Sequence, residues 1–234
     1  MDALIKLEKV VKEYRDNGVP VRALDDVDLQ VTRGECTVVM GPSGSGKSTM
    51  LNLIGGLDRP TSGKVRVVGK DTAELSSSEL SRLRLNRIGF VFQAYNLIPV
   101  LTAYENAEYI LMLQGVPAKR RRKIVMDILS TVGLDGLENR FPRELSGGQQ
   151  QRVAIARAIA PEPELILADE PTANLDSTMS GSLLELMLNL NERKQMTFLF
   201  STHDPEVMKR ARRIIRLKDG RVASDEENRG VISS

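Results

Sequence analysis

"CTVVMGPSGSGKSTMLNLIGGL", residues 36–57, runs from a short apolar stretch through a glycine-rich loop into a second apolar stretch. "CTVVM" (36–40) has the length and apolar content of a buried strand, and "STMLNLIGGL" reads as a helix. Between them "GPSGSGKST" (41–49) fits G-x-x-x-x-G-K-[ST], after a strand and before a helix, where a phosphate cradle has to sit. Gly41, Gly44 and Gly46 free the backbone to turn its N–H groups onto phosphate oxygens. The helix start adds its partial positive charge. Lys47 has the reach for the β- and γ-phosphates, and the Ser48 hydroxyl can ligate Mg²⁺. Ser43, Ser45 and Thr49 complete the candidate nucleotide-binding set.

Outward from this loop, short apolar runs alternate with helix-length stretches, the α/β pattern. "KVRVVG" (64–69) and "IGFVF" (88–92) are expected strands. "LILAD" (165–169) and "TFLFS" (197–201) are apolar nearly throughout, as central strands covered on both faces should be. "RIIRLKDGRVA" (213–223) predicts a hairpin turning at Asp219–Gly220. The first forty residues alternate more openly and suggest an antiparallel edge sheet. From about Thr102 to Ala160 helical patterns dominate, giving a core of about 1–93 and 161–234 with a helical lobe of about 94–160 inserted in it. The tail "SDEENRGVISS" is polar and expected to fray.

Bulk composition narrows the classes. A chain of 234 residues buries roughly 70–75% of its unfolded surface and folds without disulfides or metal. The single cysteine, Cys36, has no internal disulfide partner and reads as an inert core thiol. A formal charge of +2 gives no argument for nucleic acid. "MDALIKLEKVV" alternates charged and apolar residues, unlike a signal peptide, and no apolar run reaches the length of a membrane span. Any membrane the chain serves is therefore expected to be reached through a partner.

The phosphate loop alone leaves kinases, GTPases and ATPases open, and three strand ends narrow the choice. "LILADE" projects Asp169 at the carboxyl edge of the sheet, where open α/β sheets bind ligands, as a direct or indirect holder of Mg²⁺. Glu170, one residue on, can polarise a water for attack on the γ-phosphate. His203 follows "TFLFST" and is assigned to the γ-phosphate or the attacking water; an isolated histidine is otherwise more often structural. Gln93 ends "GFVFQ" at the entrance to the lobe, where its amide can touch Mg²⁺ or water.

"LSGGQQQR" (145–152) is a second phosphate-seeking helix start: Ser146, Gly147 and Gly148 offer a hydroxyl and backbone N–H donors. It resembles the signature of ATP-binding-cassette ATPases, and its companions stand in that family's order. They are Tyr14 in "KEYRDNG", the phosphate loop, Gln93, the signature through Gln149, "LILADE", "ANLDS" and "STHD". The resemblance covers roughly Leu4 to Val222. It implies a P-loop NTPase (RecA-like) core with an N-terminal antiparallel β subdomain and an inserted helical subdomain. It also implies ATP and Mg²⁺, and a homodimer in which each signature caps the nucleotide held by the other chain. Tyr14 would stack on adenine, a contact worth about 1–3 kcal/mol in nucleic-acid systems. Asp176 would link the two active sites across the dimer. The loop before it reads Ala173–Asn174 where many relatives begin with serine and alanine.

"GPSGSGKSTMLNLIGGLDRPTSG" and "IGFVFQAYNLIPVLTAYENAEY" are similar to the bacterial ATPases of lipoprotein-releasing and macrolide-exporting transporters. That likeness implies membrane permease subunits with extracytoplasmic domains and a position at the cytoplasmic face of the bacterial inner membrane. The segment after Gln93 is apolar enough to receive a helix from such a subunit. "KRRRK" (119–123) opens an expected amphipathic helix: a solvated face, or a contact with anionic lipid. Rival readings are an ATPase regulating a cell-envelope or cell-division complex, a soluble regulatory cassette, and a small-molecule phosphotransferase. The last leaves the signature unexplained.

Overall fold

The computed structural model describes residues 3–16, 19–173, 175, 177–202 and 211–228. The chain opens with β1 (Ala3–Asp16), β2 (Val19–Thr32) and β3 (Cys36–Met40), then α1 (Lys47–Ile54). β4 (Ser62–Val67), β5 (Lys70–Asp71), α2 (Ser77–Arg87) and β6 (Ile88–Val91) follow. A helical stretch holds α3 (Ala103–Leu113), α4 (Ala118–Thr131), a 3₁₀ turn at Pro142–Glu144 and α5 (Gly147–Ile159). β7 (Leu165–Asp169), α6 (Ser177–Lys194), β8 (Thr197–Thr202), β9 (Arg213–Lys218) and β10 (Arg221–Glu227) complete the described elements.

Two sheets form. The larger runs β10-β9-β3-β8-β7-β6, parallel except for the β10 edge strand. The smaller, β2-β1-β4-β5, is antiparallel. The expected N-terminal antiparallel sheet is present, and "KVRVVG" belongs to it rather than to the parallel sheet. β9 and β10 make the expected hairpin, with Asp219 (φ 48°) and Gly220 (φ 75°) both left-handed, as a two-residue loop of this hand requires.

Alternation explains why the central strands are apolar nearly throughout. Val38, Ile166, Ala168, Phe198 and Phe200 point to one face, where the helical stretch supplies Ala107, Leu129, Val153 and Ile155. Val39, Leu165, Leu167 and Leu199 point to the other, against α1 (Met50, Leu53, Ile54) and the inner side of the small sheet (Ile5, Leu7, Val65). Each strand is thus a buried wall between two cores. The Phe198 and Phe200 rings stack at 5.5 Å across the first of them.

α2 is an element the sequence reading did not anticipate. It buries only Leu80 and Leu83, so its apolar stripe is too thin to register as a period. Local chemistry starts it instead: Ser76 accepts from the Glu79 N–H, and the Glu79 carboxylate accepts from the Ser76 N–H at 2.9 Å. Asn106, wholly buried on α3, fixes the segment after Gln93. Its amide donates to the carbonyls of Ile98, Leu101 and Thr102 and accepts from the Ile98 N–H at 2.8 Å.

Candidate functional site

The parallel strands end together, and their carboxyl edge carries most of the residues singled out from the sequence. β3 runs into the glycine-rich loop, β7 ends at Asp169, β8 pairs Ser201 with Asp169, and β6 leads to Gln93. A cleft of about 730 Å³ opens along this edge. Its lining includes Tyr14, Ser43, Gly44, Ser45, Gly46, Lys47, Ser48, Thr49, Gln93 and Glu170. The structure thus brings together ten of the residues the sequence singled out.

The loop is shaped for backbone approach. Gly46 adopts φ 103° at the start of α1, and a Cβ there would lie 2.3 Å from the Ala23 carbonyl oxygen, so no other residue fits. The Lys47 ammonium donates to the carbonyls of Gly41 (2.8 Å) and Pro42 (3.1 Å) and lies 3.7 Å from a Glu170 carboxylate oxygen. Gly41 therefore contributes its carbonyl behind the cleft. Ser45 is buried, and its hydroxyl has no partner among the described residues.

The Ser48 hydroxyl donates to Asp169 Oδ1 at 3.1 Å, and the Ser201 hydroxyl donates to that same oxygen. Ser48 and Asp169 together present hard oxygen donors, the set a divalent cation takes. Glu170 sits at φ 46°, an uncommon conformation for a residue with a Cβ. Its N–H is tied to the Ser201 carbonyl (3.0 Å) and hydroxyl (3.1 Å). Strain of this kind persists where the surroundings over-determine it. Ser201 was not singled out from sequence; its place at the end of "TFLFS", level with Asp169, was the available signal.

Tyr14 lies at the cleft rim, 40% exposed. Its hydroxyl donates to Asp58 at 2.8 Å, and the Lys12 ammonium sits 4.8 Å from its ring centre. Burial, then the Asp58 carboxylate, raise the phenol above its ordinary pKa, so it stays neutral.

The signature residues are not in this lining. Ser146 caps α5: its hydroxyl accepts from the Gln149 N–H at 3.3 Å, and the Gln149 side chain accepts from the Ser146 N–H at 2.9 Å. The anion site expected here is therefore not wholly open, since Gln149 already occupies the Ser146 amide. Gly147 and Gly148 stand at the first two helical positions, whose amides the helix itself does not use. A Cβ on Gly148 would lie 1.7 Å from the Met179 terminal methyl, so a larger residue there would displace the Met179 side chain of α6. His203 and Asp176 lie outside the described residues.

α5 is joined to the loops after Glu170 and Gln93 by further side chains. Gln151, buried, donates to the Pro171 carbonyl at 2.7 Å, one residue beyond Glu170. Arg157 donates to the carbonyls of Asn96 (2.6 Å) and Tyr95 (2.9 Å), just beyond Gln93.

Comparison with known proteins agrees with this arrangement. The family model described as "ABC transporter" matches residues 24–173. The lipoprotein-releasing system ATP-binding protein LolD of Anaeromyxobacter dehalogenans is 48% identical, over 96% of this chain and 95% of its own length. The macrolide export ATP-binding/permease protein MacB 1/2 of Paracoccus denitrificans is 44% identical over 95% of this chain, which spans 33% of that longer protein. Among solved structures, the dimeric post-hydrolysis state of the ATP-binding cassette MJ0796, bound to ADP and Pi, superposes with a TM-score of 0.91. It is 46% identical and covers 97% of this chain and 99% of its own. MJ0796 is a protein of Methanocaldococcus jannaschii. With the phosphate loop, the acidic strand end and the capped signature helix arranged as they are, this chain belongs to the ABC transporter family, in the branch of the LolD and MacB ATP-binding proteins.

Proposed function

We propose that the chain is the ATP-hydrolysing subunit of a bacterial membrane transporter of the lipoprotein-releasing or macrolide-exporting kind, working as a homodimer closed by ATP. One observation carries the reading: Lys47, Ser48 and Glu170 line one cleft, while Ser146 and its glycines stand outside that lining. A phosphate-seeking helix start that does not serve its own cleft finds its use on a second copy.

The residues fit the nucleotide. Gly44 and Gly46 let the loop backbone close on phosphate oxygens, and Lys47 supplies the counter-charge now shared by two carbonyls and Glu170. Ser48 and Asp169, with Gln93 nearby in the cleft wall, would hold Mg²⁺. When bound, the ion neutralises charge on the β- and γ-phosphates. The Glu170 carboxylate orients and polarises water for in-line attack, with His203 as its expected companion. Tyr14 offers its ring to the base.

Closure and opening would move the helical stretch, about 94–160, against the core of 1–93 and 161–234. An apolar groove of about 510 Å³ between α2, β6 and α3 includes Leu57, Phe90, Phe92, Ile98, Ile110 and Leu113 in its lining, and is suited to a helix from the membrane subunit. No helix among the described residues is long and apolar enough to cross a membrane. A permease partner would therefore hold the chain at the cytoplasmic face of the inner membrane. The test is affinity purification of the tagged chain from detergent-solubilised membranes. An integral membrane protein should co-elute, and Ile98→Glu with Leu113→Glu should release it. Recovery of the chain from cytosol alone, without such a protein, would overturn the transporter reading.

A further inference from the structure

The corner between α3 and α4 carries charge that the ATPase site does not use. Four of the five residues of "KRRRK" (Lys119, Arg120, Arg122 and Lys123) are exposed, and none has an ion-pair partner among the described residues. The fifth, Arg121, turns inward. Its guanidinium donates to Glu108 and to the Val116 carbonyl, each at 2.7 Å, and so anchors the corner. Other exposed arginines are spent differently, Arg221 on Asp25 and Arg212 on Glu192. Met112 and Leu113, at the end of α3, stand 47% and 52% exposed. Only residues 114–118 separate them from the cations, so apolar and basic groups share one edge.

We infer that this corner is a contact for an anionic lipid surface. Two exposed apolar side chains bordered by four unpaired cations suit insertion at a headgroup boundary with charge attraction to acidic lipid. Position supports the choice of occupant. Leu113 belongs both to this corner and to the groove assigned to the membrane subunit, and Pro161 lines that groove and also the cleft holding Arg120 and Lys123. A helix entering the groove from the bilayer turns the corner toward the leaflet, so the inference rests on that docking. Asp127 and Glu162 also line the cleft; Glu162 is ion-paired to Lys194, leaving Asp127 as the opposing charge.

Flotation of the purified chain with vesicles tests it. The wild type should float with phosphatidylcholine–phosphatidylglycerol vesicles, stay behind with phosphatidylcholine alone, and be released by high salt. Each cation near the surface is worth about a fivefold change in binding. Lys119→Glu, Arg120→Glu, Arg122→Glu and Lys123→Glu combined should weaken flotation by more than a hundredfold. Met112→Ser, which leaves the groove lining intact, should weaken it less and leave the salt dependence. ATP hydrolysis in solution should be unchanged in both. Failure of the wild type to float, or equal flotation by the quadruple variant, overturns the inference. So does a variant that floats normally yet loses the membrane subunit in detergent, which would assign the corner to an acidic protein segment. The ATP-dependent dimer is measured separately, so failure here leaves the ATPase assignment standing.

Discussion

Glu170 concentrates the chemistry in a few ångströms. Its backbone is pinned by Ser201, its carboxylate faces Lys47, and the neighbouring Asp169 is engaged by two hydroxyls. Replacement by glutamine keeps the shape and removes the proposed base. Glu170→Gln should slow hydrolysis by roughly 10²–10⁴-fold with ATP affinity retained, measured by phosphate release and nucleotide titration; a rate near wild type would remove Glu170 from that role. Cys36 marks the opposite extreme. It is buried, and burial pushes its thiol up to about 12. A thiol that stays protonated across the neutral range should resist iodoacetamide at pH 8 in the folded chain and react once unfolded, as mass spectrometry can follow. At this scale the loop residues, Asp169 and Glu170 were legible because a linear motif carries them. Ser201 was not, because its role comes from a neighbouring strand 32 positions away.

Among the elements, α5 connects the most. Ser146 caps its start, Gln151 holds the Pro171 carbonyl, Arg152 reaches the Val132 carbonyl and Ser182, and Arg157 holds the loop beyond Gln93. These contacts tie α5, which starts at the signature, to both loops that flank the cleft. Gln151→Met keeps the volume and deletes the hydrogen bond. Loss of about 1 kcal/mol there should lower kcat by about fivefold with little change in KM for ATP; a steady-state assay showing both constants unchanged would leave Gln151 a purely structural role. The strands of the parallel sheet were readable from apolar runs. α2 was not, since two buried leucines make no period, and β4 reads like a core strand until its antiparallel pairing with β1 is seen.

At the scale of the molecule, two sheets and a helical layer bring four strand ends to one edge and leave the signature outside that cleft's lining. Sequence order foretold the family and the sheet classes; which faces meet required the fold. The central claim is that the Ser146 end of α5 completes the cleft of a second copy. Sedimentation of Glu170→Gln and of Glu170→Gln/Ser146→Arg, each at saturating ATP with bound nucleotide quantified, tests it directly. The single variant should double its mass on adding ATP, and the double variant should stay monomeric with its nucleotide still bound. A single variant that remains monomeric with ATP bound, or a double variant that dimerises equally well, would contradict the account.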